Sequence, residues 1–160
     1  MKYLLAISGA FLMAACSPQA TSEPAPIEKA APSTHPVSGL QVIPLTVRTD
    51  EGEHQFDVEV ARSREEQARG LMFRTELGPN EGMIFIRNPP DVASFWMKNT
   101  PLPLDIIFVD PDGTIINIAA NTPPYSLDSV SAEGITGTVF EIVGGRAAEL
   151  GIEAGDTVEY

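Results

Sequence analysis

The sequence is poor in the residue types that most catalytic and metal sites require. It has one cysteine, Cys16, and two histidines, His35 and His54. Because Cys16 stands near the N-terminus, the rest of the chain has no internal disulfide, no catalytic thiol and no thiolate metal site. His35 lies in a proline-rich segment and His54 on the polar face of a predicted strand, so we expect both to be solvated surface residues. No glycine-rich phosphate loop opens a long helix, and the sequence predicts no metal and no cofactor.

Positive charge is also scarce. Lysine and arginine number 10 against 22 aspartate and glutamate residues, which gives a formal net charge of −12 at pH 7. A surface this acidic repels phosphate groups, so we expect neither nucleic acid nor anionic lipid head groups as partners. The charge favours solubility and is compatible with cationic ligands, and it is also typical of a generic acidic exported surface.

The N-terminal residues have the pattern of a targeting signal. A short positive start at Met1-Lys2 precedes an apolar run over 3–15 that is too short for a comfortable membrane span. The run ends in Met13-Ala14-Ala15-Cys16, which resembles a bacterial lipobox and implies cleavage before Cys16 and acylation of that cysteine. Ser17 favours the outer membrane over retention at the inner one. We therefore expect a lipid-anchored protein at the periplasmic face of the outer membrane; the alternative is an ordinary cleaved signal with an incidental cysteine.

Composition divides the chain into three parts. Residues 1–15 are the predicted signal peptide, and 16–38 are the predicted acylated cysteine and a flexible tether rich in Pro, Ala, Ser and Thr. Such a tether buries too little apolar surface to offset its ordering entropy. Residues 39–160 have the usual size of one globular domain, which we expect to be monomeric.

Short apolar runs separated by turn residues predict a mainly β domain. The predicted strands cover 40–48, 54–60, 83–86, 94–100, 104–109, 114–119, 138–143 and 157–160, and two short helices cover 64–69 and 146–150. Ser63 and Glu66 fit a capping box for the first helix. Pro44 lies in the predicted strand 40–48, and because proline lacks a backbone donor we expect this strand to be an edge strand or to contain a bulge. The helices are too few for alternating βαβ units, so the pattern indicates a compact antiparallel sandwich or small barrel.

The segment 94–110 concentrates apolar residues, the only tryptophan and several polar groups. Period-2 alternation over 104–109 sets Asp105 on the same face as Ile107 and Val109. A lone buried charge costs several kcal/mol, so we expect Asp105 to pair with Arg74 or Lys98.

Four motifs carry a resemblance to a known family. They are RGLMFR at 69–74, GMIF at 82–85, FWMKNT at 95–100 running into PLDIIF at 103–108, and Glu141 followed by Gly144 or Gly145. Together they resemble the family called domain of unknown function 192. The resemblance implies a compact, mainly β, jelly-roll-like domain that occurs in cytoplasmic and exported forms, and it implies no chemistry. Arg87 departs from the apolar or aromatic residue expected at that position.

Polar residues inside apolar segments are the candidate functional groups. A tryptophan face beside donors and a carboxylate is typical of a pocket for a sugar, peptide or metabolite. We therefore expect a binding module with these ligand-binding residues: Arg74, Trp96, Lys98, Asn99 and Asp105.

Two alternatives remain open at this level. One is a hydrolase or lyase that uses Asp105 or Glu141 as acid or base, because a carboxylate among apolar residues has a raised pKa. The other is a non-catalytic envelope scaffold, which would be indifferent to changes at these residues.

Overall fold

The computed structural model describes residues 33–160. The predicted signal peptide, Cys16 and the first part of the predicted tether lie outside the described residues. The strands are β1 (Ser33–Thr34), β2 (Gln41–Thr49), β3 (Gly52–Ala61), β4 (Glu81–Asp91), β5 (Ser94–Phe95), β6 (Leu104–Val109), β7 (Ile115–Thr122), β8 (Val130–Ser131), β9 (Thr136–Val143) and β10 (Thr157–Glu159). The helices are α1 (Arg64–Arg69) and α2 (Arg146–Glu149). Neither helix has the length and hydropathy that a membrane-spanning helix needs within residues 33–160.

One large mixed sheet dominates the domain. Its strand order is β1-β2-β3-β4-β9-β6-β7, β10 also pairs with β2, and β5 and β8 form a separate two-stranded sheet. The prediction of a mainly β domain with two short helices is confirmed. The sheet is mixed because β3 and β4 run parallel, whereas the other pairs are antiparallel. A parallel pair needs a crossover, and the connection that contains α1 supplies it. The described strands do not close into a barrel.

Helix α1 forms where the capping signal predicted it. The hydroxyl of Ser63 accepts from the backbone N–H of Glu66 at 3.2 Å, and the Glu66 carboxylate accepts from the N–H groups of Ser63 and Arg62, each at 2.8 Å. These backbone bonds lower the pKa of Glu66. The helix ends at Gly70, whose positive φ of 47° suits a residue without a Cβ. The prediction over Arg64–Arg69 is confirmed at both ends.

Pro44 lies inside β2 at a place where one side of the strand has no partner. β1 pairs with Gln41 and Val42, and β10 pairs with 46–48, which leaves 43–45 unpaired on that side. Across β3, Pro44 stands opposite Asp57, whose N–H donates to Asn80 on the far side at 2.9 Å. The pair is therefore a non-hydrogen-bonded one, and the nitrogen of Pro44 faces the gap. Proline lacks a backbone N–H, but no hydrogen bond of the sheet is lost here, because this position does not donate to a neighbouring strand.

Strands β6 and β9 form the centre of the sheet, with apolar clusters on both faces. Ile107 and Val109 of β6 pack in one cluster, whereas Leu104, Ile106 and Phe108 pack in the other. The predicted alternation of 104–109 is thus confirmed. On β9, Phe140 and Ile142 belong to the first cluster and Val139 to the second. Because faces alternate along a strand, Glu141 points towards the second cluster.

The prediction of one continuous strand over 94–100 is wrong. Only Ser94–Phe95 is extended in a ladder, where it pairs with β8. Residues 98–99 form a turn in which the N–H of Thr100 donates to the carbonyl of Met97 at 3.1 Å. Asn99 has a φ of 57°, in the left-handed region, and such a conformation is incompatible with a continuing strand. The segment crosses one face of the sheet as a loop, and we call residues 96–100 the tryptophan loop.

The two histidines are more buried than the sequence predicts. His35 follows β1, and its Nδ1 lies 3.7 Å from Oε1 of Glu59 while its Nε2 lies 3.2 Å from the guanidinium of Arg74. Glu59 is buried, so it needs such neighbours. Residues 33–38, which the sequence assigns to the end of the tether, form β1 and the turn after it. His54 is half-buried, and its Nε2 is sealed from solvent with no hydrogen-bond partner among residues 33–160.

Candidate functional site

A cavity of about 270 Å³ opens on the face of the sheet that holds the second apolar cluster. One wall is the end of α1 and the turn after it, from Gln67 to Met72. The opposite wall is β5 with the tryptophan loop, and the floor comes from β4, β6 and β9. The lining includes Arg69, Phe85, Arg87, Phe95, Trp96 and Glu141.

Glu141 is the unusual member of the cavity. It lies on β9 between Met83 of β4 and Ile106 of β6, and its residue is 5% exposed. Burial raises the pKa of the Glu141 carboxyl to about 8, and burial is the only cause. Among residues 33–160 no cation or hydrogen-bond donor shifts it the other way. At pH 7 the carboxyl is therefore mostly protonated, and it faces the cavity as a neutral acid.

Aromatic rings form much of the wall around this acid. Phe85 and Phe95 meet edge to face, with centroids 4.9 Å apart, and Phe95 meets Phe108 in the same way at 6.3 Å. These contacts fix the orientation of Phe95, which the pairing of β5 with β8 also holds at the backbone. Trp96 stands at the rim and is 48% exposed. The Nζ of Lys98 lies 5.1 Å from the centroid of the indole.

Backbone strain is concentrated beside the rim. Phe73, Asn99 and Tyr125 are non-glycine residues with φ values of 65°, 57° and 61°. They meet at the tryptophan loop, because the N–H of Phe73 donates to the carbonyl of Asn99 at 2.8 Å and that of Tyr125 to the carbonyl of Thr100 at 3.1 Å. Each such conformation costs of order 1–3 kcal/mol and is most common at active and ligand sites. Phe73 and Tyr125 are also exposed.

The two arginines of the lining differ in their partners. Arg87 is held by Asp91 through two contacts of 2.8 Å to its Nη2 and one of 2.9 Å to its Nε, and it also donates to Oε1 of Gln67 at 3.2 Å. Its charge is therefore compensated. Arg69 ends α1 and is exposed, and it makes no ion pair within residues 33–160. Neither arginine lowers the pKa of Glu141.

The structure brings together only some of the residues that the sequence singled out. Trp96, Lys98 and Asn99 lie on the tryptophan loop, and Glu141 lies in the cavity beneath it. Arg74 points elsewhere, and its guanidinium forms an ion pair with Glu59 at 2.6 Å. It lines a different surface cavity, which also contains Phe73 and His35.

The prediction that Asp105 pairs with the cation of Arg74 or Lys98 is wrong. Its carboxylate is fully buried and accepts three backbone N–H groups, from Asn121 at 2.6 Å, Gly145 at 2.9 Å and Ala147 at 2.8 Å. Arg74 and Lys98 are not among its partners. Charge-assisted bonds to three amides satisfy a carboxylate without a cation, so the ion pair is unnecessary. Asp105 fastens β7 and the start of α2 to the central strand.

Several cavity residues were not predicted as site members. The sequence placed Phe85, Phe95 and Gln67 only in strands or a helix. Their place in the cavity depends on partners from distant parts of the chain, which the local sequence does not show. Arg87 had a signal in the sequence, since a cation stood where an apolar residue was expected. Glu141, by contrast, was predicted as a candidate acid or base, and it is the only charged residue in the apolar run of β9.

Solved structures similar to this chain come from two bacteria. A protein of unknown function from Novosphingobium aromaticivorans is 60% identical, with a TM-score of 0.81, over 83% of this chain and 95% of that one. A protein from Sinorhizobium meliloti, described as a candidate transcription regulator, is 33% identical with a TM-score of 0.73, over 75% of this chain and 94% of that one. No curated protein matches the chain significantly. Residues 45–160 match the family described as uncharacterized ACR, and the chain belongs to this domain of unknown function 192 (DUF192) family.

Proposed function

We propose that this domain is a small-ligand-binding module and that its ligand enters the cavity above Glu141. The observation that carries the proposal is a carboxyl with no ion pair or hydrogen bond among residues 33–160, at the floor of a cavity whose rim is a half-exposed tryptophan. The carboxyl oxygens of Glu141 are not among the side-chain atoms sealed from solvent in residues 33–160, so they face the open space of the cavity. A ligand group in the cavity can therefore bond to Glu141 directly.

The walls combine aromatic rings with polar groups, both of which small-molecule sites use, and polar surface is the larger part of the exposed lining. A volume of about 270 Å³ equals the share of roughly nine liquid water molecules. The ligand portion that enters is therefore the size of one ring or one amino acid. Trp96 offers the exposed ring face on which such a body stacks.

As part of this proposal, the domain is held outside the cytoplasm by acyl groups on Cys16, at the periplasmic face of the outer membrane. It acts there as a monomer on a soluble metabolite, peptide or cell-wall fragment. The Sinorhizobium meliloti protein is described as a candidate transcription regulator, and direct binding of this chain to nucleic acid has no support in a net charge of −12.

A thermal-shift screen with cell-wall sugars, peptides, amino acids and other metabolites tests the proposal. We expect at least one compound to raise the melting temperature of the protein, and Trp96→Ala to abolish that shift. Leu127→Ala is the matched control, since Leu127 is an exposed apolar residue that does not line the cavity. A shift that survives Trp96→Ala, or a screen in which no compound acts, contradicts a site at this cavity.

A second candidate function is supported by the protonation of Glu141. A carboxyl whose pKa is about 8 holds its proton at neutral pH and is suited to general acid catalysis. The hydrolase or lyase hypothesis therefore narrows to Glu141, since the oxygens of Asp105 are occupied by backbone amides. Turnover of a bound compound that Glu141→Gln abolishes, while binding persists, would favour the enzyme over the binding module.

A further inference from the structure

The lining of the cavity narrows the chemistry of its ligand. Phe85, Phe95 and Trp96 surround the space above Glu141, and the methionines Met72 and Met97 add polarizable sulfur to the same lining. Aromatic faces carry negative partial charge and attract ammonium groups, most strongly where water is excluded. We infer that this cavity is built for an organic ammonium group on a ring-sized apolar body, with Glu141 as its counter-ion. This inference rests on the proposed binding function and names the class of its ligand.

The indole at the rim already accepts an ammonium. The Nζ of Lys98 lies 5.1 Å from the centroid of Trp96, within the distance of a cation–π contact. The contact involves an exposed lysine, so an incoming cation competes with it at little cost. The net charge of −12 also raises the local concentration of cations around the protein.

The charged groups around Glu141 leave room for a cationic partner. Arg69 on α1 and Arg87 on β4 line the cavity, and Lys98 stands outside it on the tryptophan loop. Strand β6 contributes no charge to this face, because Asp105 points to the other one. Arg87 is neutralised by Asp91, and neither arginine acts on the Glu141 carboxyl. Glu141 is therefore an acid with no cationic partner among residues 33–160, and Arg69 is the one lining residue with an uncompensated charge.

Binding would couple to proton release. The ligand enters as R–NH3⁺ and keeps its three hydrogens, while the Glu141 carboxyl gives its proton to the solvent and becomes the carboxylate of the ion pair. Because the pKa of Glu141 is about 8, close to one proton leaves per ligand at pH 7. The affinity then rises about tenfold per pH unit below pH 8 and levels off above it, while the amine remains charged. A neutral ligand that accepts a hydrogen bond from the acid would show the opposite trend.

The test compares benzylammonium with benzyl alcohol, which share a ring and differ in charge. Trp96 is the only tryptophan, so its fluorescence reports the cavity directly. Calorimetry at pH 7 in two buffers of different ionisation enthalpy counts the released protons. We expect benzylammonium to bind at least tenfold more tightly than benzyl alcohol, with close to one proton released. Glu141→Gln should weaken benzylammonium at least tenfold and abolish the release, whereas exposed Glu133→Gln should change neither.

Three results would overturn the inference, and they separate it from the proposed function. Equal affinity for both probes, or an unchanged benzylammonium affinity in Glu141→Gln, would show that the cavity does not select an ammonium ligand. A site for a neutral ligand would remain compatible with either result. Absence of benzylammonium binding also contradicts the inference, and the metabolite screen with Trp96→Ala then decides the proposed function by itself. Urea unfolding of each variant verifies that a lost signal is not a lost fold.

Discussion

Replacing Glu141 by glutamine should remove a pH-dependent penalty from the stability of the domain. The folded carboxyl has a pKa of about 8, against an ordinary value of 4.5 for a glutamate carboxyl in the unfolded chain. A raised carboxyl pKa means that the folded state holds the proton more tightly than the unfolded state does. The free energy of unfolding that depends on this group is therefore greatest below pH 4.5. It falls as the pH rises towards 8 and is constant above that.

The magnitude follows from the two pKa values. Each unit of difference is worth about 1.4 kcal/mol, so a shift from 4.5 to about 8 corresponds to about 5 kcal/mol in total. Between pH 5 and pH 8 the wild-type protein should lose roughly 3 kcal/mol that the Glu141→Gln variant keeps. A typical domain has only 5–15 kcal/mol of net stability, so the difference is large enough to measure.

Urea unfolding followed by circular dichroism, at pH values from 5 to 9, measures this difference. Subtracting the wild-type curve from the Glu141→Gln curve cancels the effect of the other acidic groups. Glu153→Gln is the control, because Glu153 is exposed. We expect the Glu141→Gln difference to grow with pH and the Glu153→Gln difference to stay flat. Parallel curves for the wild type and Glu141→Gln would refute the buried, unpaired acid and with it the basis of the candidate site.

Two further predictions concern residues that hold the site in place. Asp105→Ala leaves three buried N–H groups without an acceptor and should lower the free energy of unfolding by roughly 3–5 kcal/mol in urea titrations. Exposed Asp128→Ala is its control. A Cβ on Gly82 would lie 2.5 Å from the carbonyl oxygen of Glu141, so Gly82→Ala should cost about 2–3 kcal/mol or more. Gly134→Ala, whose nearest neighbours are at 3.6 Å, should stay within about 0.5 kcal/mol, and equal melting temperatures for the two alanine variants would contradict this packing.

The elements that the sequence predicted well are those with local signals. The capping box gave α1 at both ends, and the alternation over 104–109 gave the bounds and the faces of β6. In each case the deciding contacts lie within a few residues.

The errors arose where a distant partner decides the conformation. The tryptophan loop has the composition of a strand, but carbonyls at its end bind N–H groups of Phe73 and Tyr125, and Asn99 turns left-handed. The parallel pairing of β3 with β4 has no local signal at all. Of the candidate site, the sequence identified Trp96 and Glu141 separately. It did not bring them together, because their relative position depends on the order of the central strands.

Asp105 and Glu141 are two buried carboxyls with different surroundings. They lie on paired strands, with Asp105 opposite Ile142 and Glu141 opposite Ile106, so they point to opposite faces of the sheet. Asp105 meets three backbone donors, and its burial is compensated within the fold. Glu141 meets none within residues 33–160, although an apolar side chain there would join the second cluster.

A group that lowers stability in the centre of the sheet needs a compensation elsewhere, and local rules of folding are broken mainly at functional sites. The residues around Glu141 supply aromatic walls and space but no partner atom. Strain at Phe73, Asn99 and Tyr125 adds a second cost beside the tryptophan loop, although none of the three residues lines this cavity. The proposed ligand would compensate the cost of burying Glu141, because it would supply a partner for the carboxyl.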